Sequence, residues 1–270
     1  MASRQDILKN IFVNAPWYDL KDKYLDLFLE NSMQPEIGFE GNCLYDEPIE
    51  EFERIAAILK KNNLGCTMHA PFFDLAPGGL DPYVLEASRN KLHRVFDLLD
   101  IFEPHSIVCH LNYEENKQGF NDGAWAKSAI QTWSPLLKKA EKSGVLMMLE
   151  NTYEINPTAH KTIFEALSSN NGRFCLDVGH LLCFAKNSWQ NWLGELLPWL
   201  GQLHLHDNDT TNDHHLAPGT GRFNFSELFK FLSDNSLCPL ITIEPHTEEA
   251  LWQTLDYLEN SSDFHRLINI

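Results

Sequence analysis

The chain alternates between two patterns. A short, β-rich apolar run leads into a turn, and then into a segment whose apolar residues recur at spacings of three and four. The runs are NIFVNAPW (10–17), EIGFEGN (36–42), GCTMHAP (65–71), SIVCHLNY (106–113), GVLMMLENT (144–152), RFCLDVGH (173–180), GQLHLHDN (201–208) and PLITIEPH (239–246). Amphipathic segments lie between them at 49–63, 84–102, 125–144 and 225–235. In the first of these, Phe52, Ile55, Ala56 and Leu59 share one stripe, as a helix resting on a sheet requires. The segment at 189–200 is weaker and contains a proline. Strands joined by helical crossovers predict a parallel sheet. Eight such units without a Ser- or Gly-rich linker predict an α/β fold, a single (β/α)8 barrel spanning residues 1–270.

Composition narrows the class. Hydrophobic residues make up 43% and charged residues 22%, an ordinary globular balance with material for a large core. The formal charge of −17 argues against a broad cationic face for nucleic acid or anionic lipid. No C-x-x-C pair occurs among Cys43, Cys66, Cys109, Cys175, Cys183 and Cys238, and most sit in apolar runs. Reduced thiols in a reducing compartment are expected. Without an apolar signal core near the start or an apolar run of about 18 residues, a cytoplasmic protein off the membrane is expected.

The polar residues collect at one end of the runs. His69, His110, Glu150, Asp177 with His180, His206 and Glu244 each follow apolar residues and precede a loop. In a barrel these ends converge on the C-terminal mouth, where catalytic sites are built. Three carboxylates across a narrow cavity raise one another's pKa unless something compensates. A divalent cation would do so, and mixed His and carboxylate ligands suit Zn, Mn, Co or Fe(II) better than Ca. Asp177 and His180 are spaced D-x-x-H, whereas Asp213 and His215 are spaced D-x-H in a loop that APGTG can fold back over the mouth.

Taken in order, HAP, LENT, CLDVGH, HLHDND with DHHLAPGTG, and TIEPH resemble the xylose isomerase-like barrel superfamily. Its members include sugar and sugar-phosphate isomerases and epimerases as well as endonuclease IV enzymes. The first branch implies one divalent metal, Mn, Co, Zn or Mg, held by Glu150, Asp177, His206 and Glu244. The two glutamates would then act as catalytic proton-transfer bases. A metal bridging a carbonyl and the neighbouring hydroxyl acidifies the C–H between them and stabilises an enediolate. The endonuclease IV branch implies up to three metals, with His69, His110, His180, Asp213 and His215 as additional ligands. No organic cofactor is expected in either case.

Two departures weaken the endonuclease resemblance. HLHDND stands where an Asn-Asp-Ser run is expected after the histidine, and His214 stands where arginine is expected. In addition, the mouth loops at 71–83, 112–123 and 180–189 carry only Lys117 and Lys186, too few cations to neutralise a nucleic-acid backbone. The sequence therefore favours a metal-dependent isomerase or epimerase of a small sugar or sugar phosphate. Phosphodiester hydrolysis and dehydration on the same scaffold are the alternatives. Expected substrate contacts are His69, His180, Arg222, Phe72 and Trp17. Glu40 at the tip of the second strand is a candidate for a substrate hydroxyl, and His204 is expected one layer deeper than His206. The resemblance also implies a homodimer or homotetramer.

Overall fold

The computed structural model describes residues 3–269. Its strands are β1 (Phe12–Pro16), β2 (Gln34–Gly38), β3 (Thr67–His69), β4 (Ser106–His110), β5 (Leu146–Glu150), β6 (Gly172–Asp177), β7 (Leu200–Leu205) and β8 (Leu240–Ile243). They pair in parallel in chain order and close into a barrel. The closing seam is short, with Phe12 level with Thr242 and Val13 level with Ile243. The (β/α)8 barrel expected from the pattern is the fold observed.

Side chains point alternately to the two faces of each strand, and this sorts the sequence into two environments. Ile107, Cys109, Met147, Leu149, Phe174, Leu176, Leu203, Leu205, Ile241 and Ile243 belong to the large core shared with the surrounding helices. The opposite face carries Val108, Met148 and Cys175, a small apolar cluster packed against Leu146 and Leu240. On that same face of their strands lie Glu36, Thr67, Ser106, Gln202, His204 and Thr242, all buried and polar. The barrel interior is thus partly apolar and partly hydrogen-bonded, with the candidate site at its C-terminal end.

The crossover helices follow the apolar stripes. Ile49–Lys61 buries Phe52, Ile55 and Leu59. Pro82–Phe96 starts cleanly because Pro82 occupies the first turn and the Asp81 carboxylate caps the N–H groups of Tyr83 and Val84. The stretch expected as one helix over 84–102 is two, the second being Leu99–Phe102. The helix expected from 125 begins earlier, as Asp122–Lys142. At 189–200 the helix ends at Leu196, and a 3-10 turn at Leu197–Trp199 accommodates the proline.

Candidate metal centre

The strand ends bring the expected residues together. His69 ends β3, His110 ends β4, Glu150 ends β5 and Asp177 ends β6. Asp177 also caps the helix Val178–Phe184, accepting the His180 N–H at 2.6 Å, so His180 lies beside it. His206 and Glu244 lie one residue past β7 and β8. Gly179 fits here because a Cβ at that position would fall 1.9 Å from the His206 ring.

Asp213 and His215 come from the loop after β7, and Asp207 ties that loop down. Its carboxylate accepts the N–H groups of Gly219, Gly221, Arg222 and Phe223 at 2.9–3.1 Å. The backbone of Asp207 also pairs with Leu216 in both directions at 2.8 Å. Asp207 thus anchors the whole returning loop.

Glu150 is at the centre. Its Oε2 lies 3.2 Å from His69 Nε2 and 3.2 Å from His110 Nε2. Its Oε1 lies 3.1 Å from His180 Nδ1 and 3.5 Å from His204 Nδ1. His206 Nε2 is 3.1 Å from both oxygens of Asp177 and 3.9 Å from Glu244. Asp213 Oδ2 is 3.3 Å from His180 Nε2 and 3.2 Å from His215 Nε2. The donors sort into groups small enough to share an ion: His69, His110 and Glu150; Asp177, His206 and Glu244; and His180, His206, Asp213 and His215.

Hydrogen bonding supplies a test of whether these residues suit cations. His69 Nδ1 lies 2.9 Å from the Ala70 carbonyl, and His215 Nδ1 lies 3.0 Å from the Glu244 carbonyl. His180 Nδ1 lies 3.0 Å from the Asn151 carbonyl. A carbonyl only accepts, so each Nδ1 carries the proton and each Nε2 of a neutral ring presents a lone pair. Those lone pairs face carboxylate oxygens, acceptor to acceptor, which requires a proton or a metal ion between them. Buried atoms without a hydrogen-bond partner include Glu150 Oε1, His204 Nδ1, His206 Nδ1 and Asp213 Oδ1. The donor set fits divalent metal ions, with backbone carbonyls orienting the imidazoles as they do around bound metals.

In the metal-free protein, protons take that place. Burial opposes charge on His69, but the hydrogen bond and charge of Glu150 outweigh it and raise the imidazole to about 9. His180 is raised in the same way by Asp177, Asp213 and Glu150, and His215 by Asp213 and Glu244. Glu150, Glu244 and Asp213 are held below the usual carboxylate range, because their histidine neighbours overcome the burial that opposes ionisation. For His110 burial dominates and lowers the value.

Above the cluster is a cavity of about 330 Å³ lined by Phe72, Phe73, Tyr153 and Phe184, among others. Phe72 stacks on His110 at 4.2 Å and lines the cavity. Glu40 also lines the cavity, and neither of its buried carboxylate oxygens has a partner. Among the described residues no lysine or arginine lines it. Two expected contacts are not there. Trp17 is buried beneath Phe39, Phe52 and Phe102 and donates its indole N–H to Glu47 at 3.0 Å. Arg222 is exposed, because Asp207 holds its backbone N–H in the loop anchor and its side chain is outside the cavity lining.

Three residues lacked a clear functional signal in the sequence. His204 is fully buried on β7 as expected, yet its Nδ1 reaches up to Glu244 Oε1 at 3.0 Å and Asp177 Oδ2 at 3.8 Å, within the cluster. Glu36 is the middle residue of β2, below the tips that marked the other donors. Glu154 is buried in the loop after β5, where it accepts the N–H groups of Thr152 at 2.7 Å and Tyr113 at 3.0 Å, and burial pushes it up to about 7.

A closed parallel barrel with a polar, cation-suited mouth defines a class, and the comparisons place the chain within it. Residues 33–264 match the xylose isomerase-like TIM barrel family, to which this chain belongs. An uncharacterised protein of Methanocaldococcus jannaschii, MJ1614, is 26% identical over 246 residues, which cover 87% of this chain and 90% of that protein. Among solved structures, a D-tagatose 3-epimerase-like protein superposes with a TM-score of 0.81 at 19% identity, covering 96% of this chain and 98% of the other. The TTHB071 protein from Thermus thermophilus, soaked with ZnCl2, superposes with a TM-score of 0.77 at 20% identity, covering 92% and 97%. At these identities the structural likeness is one of fold. Among the described residues no helix is long and apolar enough to cross a membrane.

Proposed function

We propose that the protein is a hydrolase of small phosphoesters working with a cluster of up to three divalent metal ions, zinc being well suited to the donors. One observation carries this reading: Glu150 is shared among the imidazoles of His69, His110, His180 and His204 at 3.1–3.5 Å. A carboxylate so enclosed is placed to bridge ions. It is poorly placed to reach a substrate C–H as a mobile base. His69 and His110 with Glu150 would hold one ion. Glu150, Asp177, Glu244, His204 and His206 would surround a second, and His180, Asp213 and His215 a third. Clustered divalent ions supply charge neutralisation for a phosphoryl group and acidify water.

The chain's own groups account for the rest. Phe72 and Phe73 wall the cavity and limit bulk water. Asp213 lines the cavity with its side chain about a quarter exposed, while its buried Oδ1 lies 3.6 Å from His206 Nδ1. Among the described residues the lining holds no lysine or arginine, so bound ions would have to neutralise the phosphoryl group, and a long nucleic-acid backbone would meet no lysine or arginine there.

A second reading, a metal-dependent isomerase or epimerase of a small sugar, is favoured by Glu150 and Glu244 both lining the cavity. That pair would serve two-base proton transfer or, with a different fate of the enediolate, dehydration. One ion of Mn, Co or similar would then suffice, and the third donor group would stand idle.

Elemental analysis of protein purified without added metal, followed by assay on bis(4-nitrophenyl) phosphate and 4-nitrophenyl phosphate, separates the two. Two or three zinc ions per chain with chelator-sensitive ester cleavage is expected. One ion per chain, no cleavage and conversion of a free ketose would overturn hydrolysis in favour of epimerisation.

A further inference from the structure

Beneath the cluster, Glu36 is buried with no exposure and held in one orientation. Its Oε2 accepts the Thr67 hydroxyl at 2.8 Å, the Gln202 amide at 2.7 Å and the Thr242 hydroxyl at 2.9 Å. Gln202 is oriented in turn, its Oε1 accepting the Ser106 hydroxyl at 2.6 Å. The Gln202 amide has a further contact with Thr242 Oγ1 at 3.1 Å. Both amide hydrogens are therefore committed, and the 3.3 Å approach of that amide to His204 Nε2 has no hydrogen to share.

The remaining oxygen, Glu36 Oε1, accepts no well-aligned hydrogen bond, and its near neighbour is His204 Nε2 at 3.1 Å. Two buried lone pairs do not stand 3.1 Å apart unopposed, so the approach to Glu36 Oε1 favours the tautomer in which Nε2 of His204 carries the hydrogen. Its Nδ1 is then the lone-pair nitrogen of the neutral ring, and it faces Glu244, Glu150 and Asp177 at 3.0, 3.5 and 3.8 Å.

Resting on the metal reading above, we infer that Glu36 is a positioning residue that fixes the tautomer and tilt of His204, making its Nδ1 a ligand of the central ion. Five strands contribute to this support. Glu36 comes from β2, Thr67 from β3, Ser106 from β4, Gln202 and His204 from β7 and Thr242 from β8. Carboxylates that hold a metal-binding imidazole from behind typically alter metal affinity ten- to a hundredfold. Glu36 touches neither cavity nor substrate, so its influence passes through His204 alone.

The test uses the full chain and zinc. Wild type, Glu36→Gln and Ser106→Ala are titrated against a chromophoric chelator, and their melting is followed with and without zinc. Expected for Glu36→Gln is a ten- to hundredfold loss of affinity for one zinc ion, the others unchanged, beyond whatever fall in metal-free melting temperature the lost buried partner brings. Ser106→Ala should lower melting in both forms and leave zinc affinity intact. If Glu36→Gln fails to fold, Glu36→Asp, whose shorter arm withdraws the carboxylate from Nε2, should show the same selective loss. Wild-type affinity in the Glu36 variant that folds, with zinc still bound by wild type, overturns the role of Glu36 alone. A wild-type protein that binds no zinc, manganese or cobalt overturns both this role and the metal reading.

Discussion

The rings of His206 and His215 lie face to face, 3.7 Å between centroids and 4° from parallel. His246 continues the stack, 3.7 Å beyond His215. Stacked imidazolium cations repel, so charge cannot spread through all three rings. Burial, reinforced by the charge of His215, pushes His246 down to about 4. The stack therefore presents an electrically graded wall, with a neutral ring outermost and metal-suited rings within.

That grading sets the pH dependence of the metal-free protein. His69, His180, His204 and His215 are raised, so their contribution is complete below the unfolded value of 6.5 and fades as pH climbs through the raised values, near 9 for His69. His110, His160 and His246 are lowered, and their contribution fades as pH falls below 6.5. Glu150 and Glu244, lowered from 4.5, fade further towards acid. Metal-free melting temperature should thus peak near pH 6.5 and fall by pH 9. Stabilisation by zinc should grow over that rise, because the ligands must lose their protons. Calorimetry across the range, with and without zinc, checks this; a metal-free melting temperature that climbs from pH 6.5 to 9 would contradict it.

Gly179→Ala should disable the centre while leaving the barrel standing. The added methyl would fall 1.9–2.5 Å from three atoms of the His206 ring, which must swing away from Asp177. Overpacking of this kind costs about 1–3 kcal/mol. Zinc content should drop while far-ultraviolet circular dichroism stays native. Unchanged zinc content would show that His206 is not a ligand.

Asp207→Asn removes a carboxylate that gathers four backbone N–H groups from the returning loop. Charge-assisted hydrogen bonds are worth about 1.5–3 kcal/mol each, partly offset here by the amide oxygen, so a net loss on the order of 2–3 kcal/mol is expected. Asp213 and His215 ride on that loop, and cleavage by a protease between residues 208 and 222 should accelerate. Resistance equal to wild type would mean that the glycine-rich backbone holds the loop without Asp207.

Glu40→Gln tests a different economy. Burial raises the Glu40 carboxyl to about 6, and neither oxygen has a partner. A raised acid costs stability as pH climbs above its unfolded value of 4.5, so the amide should raise melting temperature at pH 8 and change little at pH 5. The gain is on the order of 1–2 kcal/mol. Equal melting at both pH values would mean that the carboxylate is compensated.

The strand-tip residues were legible because a barrel sends every such tip to one mouth, so His69, His110, Glu150, Asp177, His206 and Glu244 declared themselves by position in a run. The interior polar groups were less legible. Glu36 opens the apolar run 36–42 and so looks like an ordinary strand entry in a one-dimensional pattern, whereas in the fold it is the middle residue of β2. His204 was expected a layer down, but period-two alternation does not reveal that an imidazole spans two layers, one nitrogen towards Glu36 and the other towards Glu244. Trp17 and Arg222 misled for a shared reason. Closeness to the mouth in sequence does not say which way a side chain turns, and the aromatic cluster and the Asp207 anchor decided those directions.

The barrel closes through only two residue pairs between β1 and β8, while the nine strand-tip and loop donors come from β3 to β8 and the segments that follow them. Ions seated there would clasp an arc of the ring and leave β1 and β2 joined by backbone pairing and by the Glu36 network. The ring then has a stiff side and a compliant side, like a clasped cuff with its hinge opposite the clasp. Amide hydrogens in β1 and β2 should exchange at nearly the same rate whether or not metal is bound, while those of β5 to β7 slow sharply on loading.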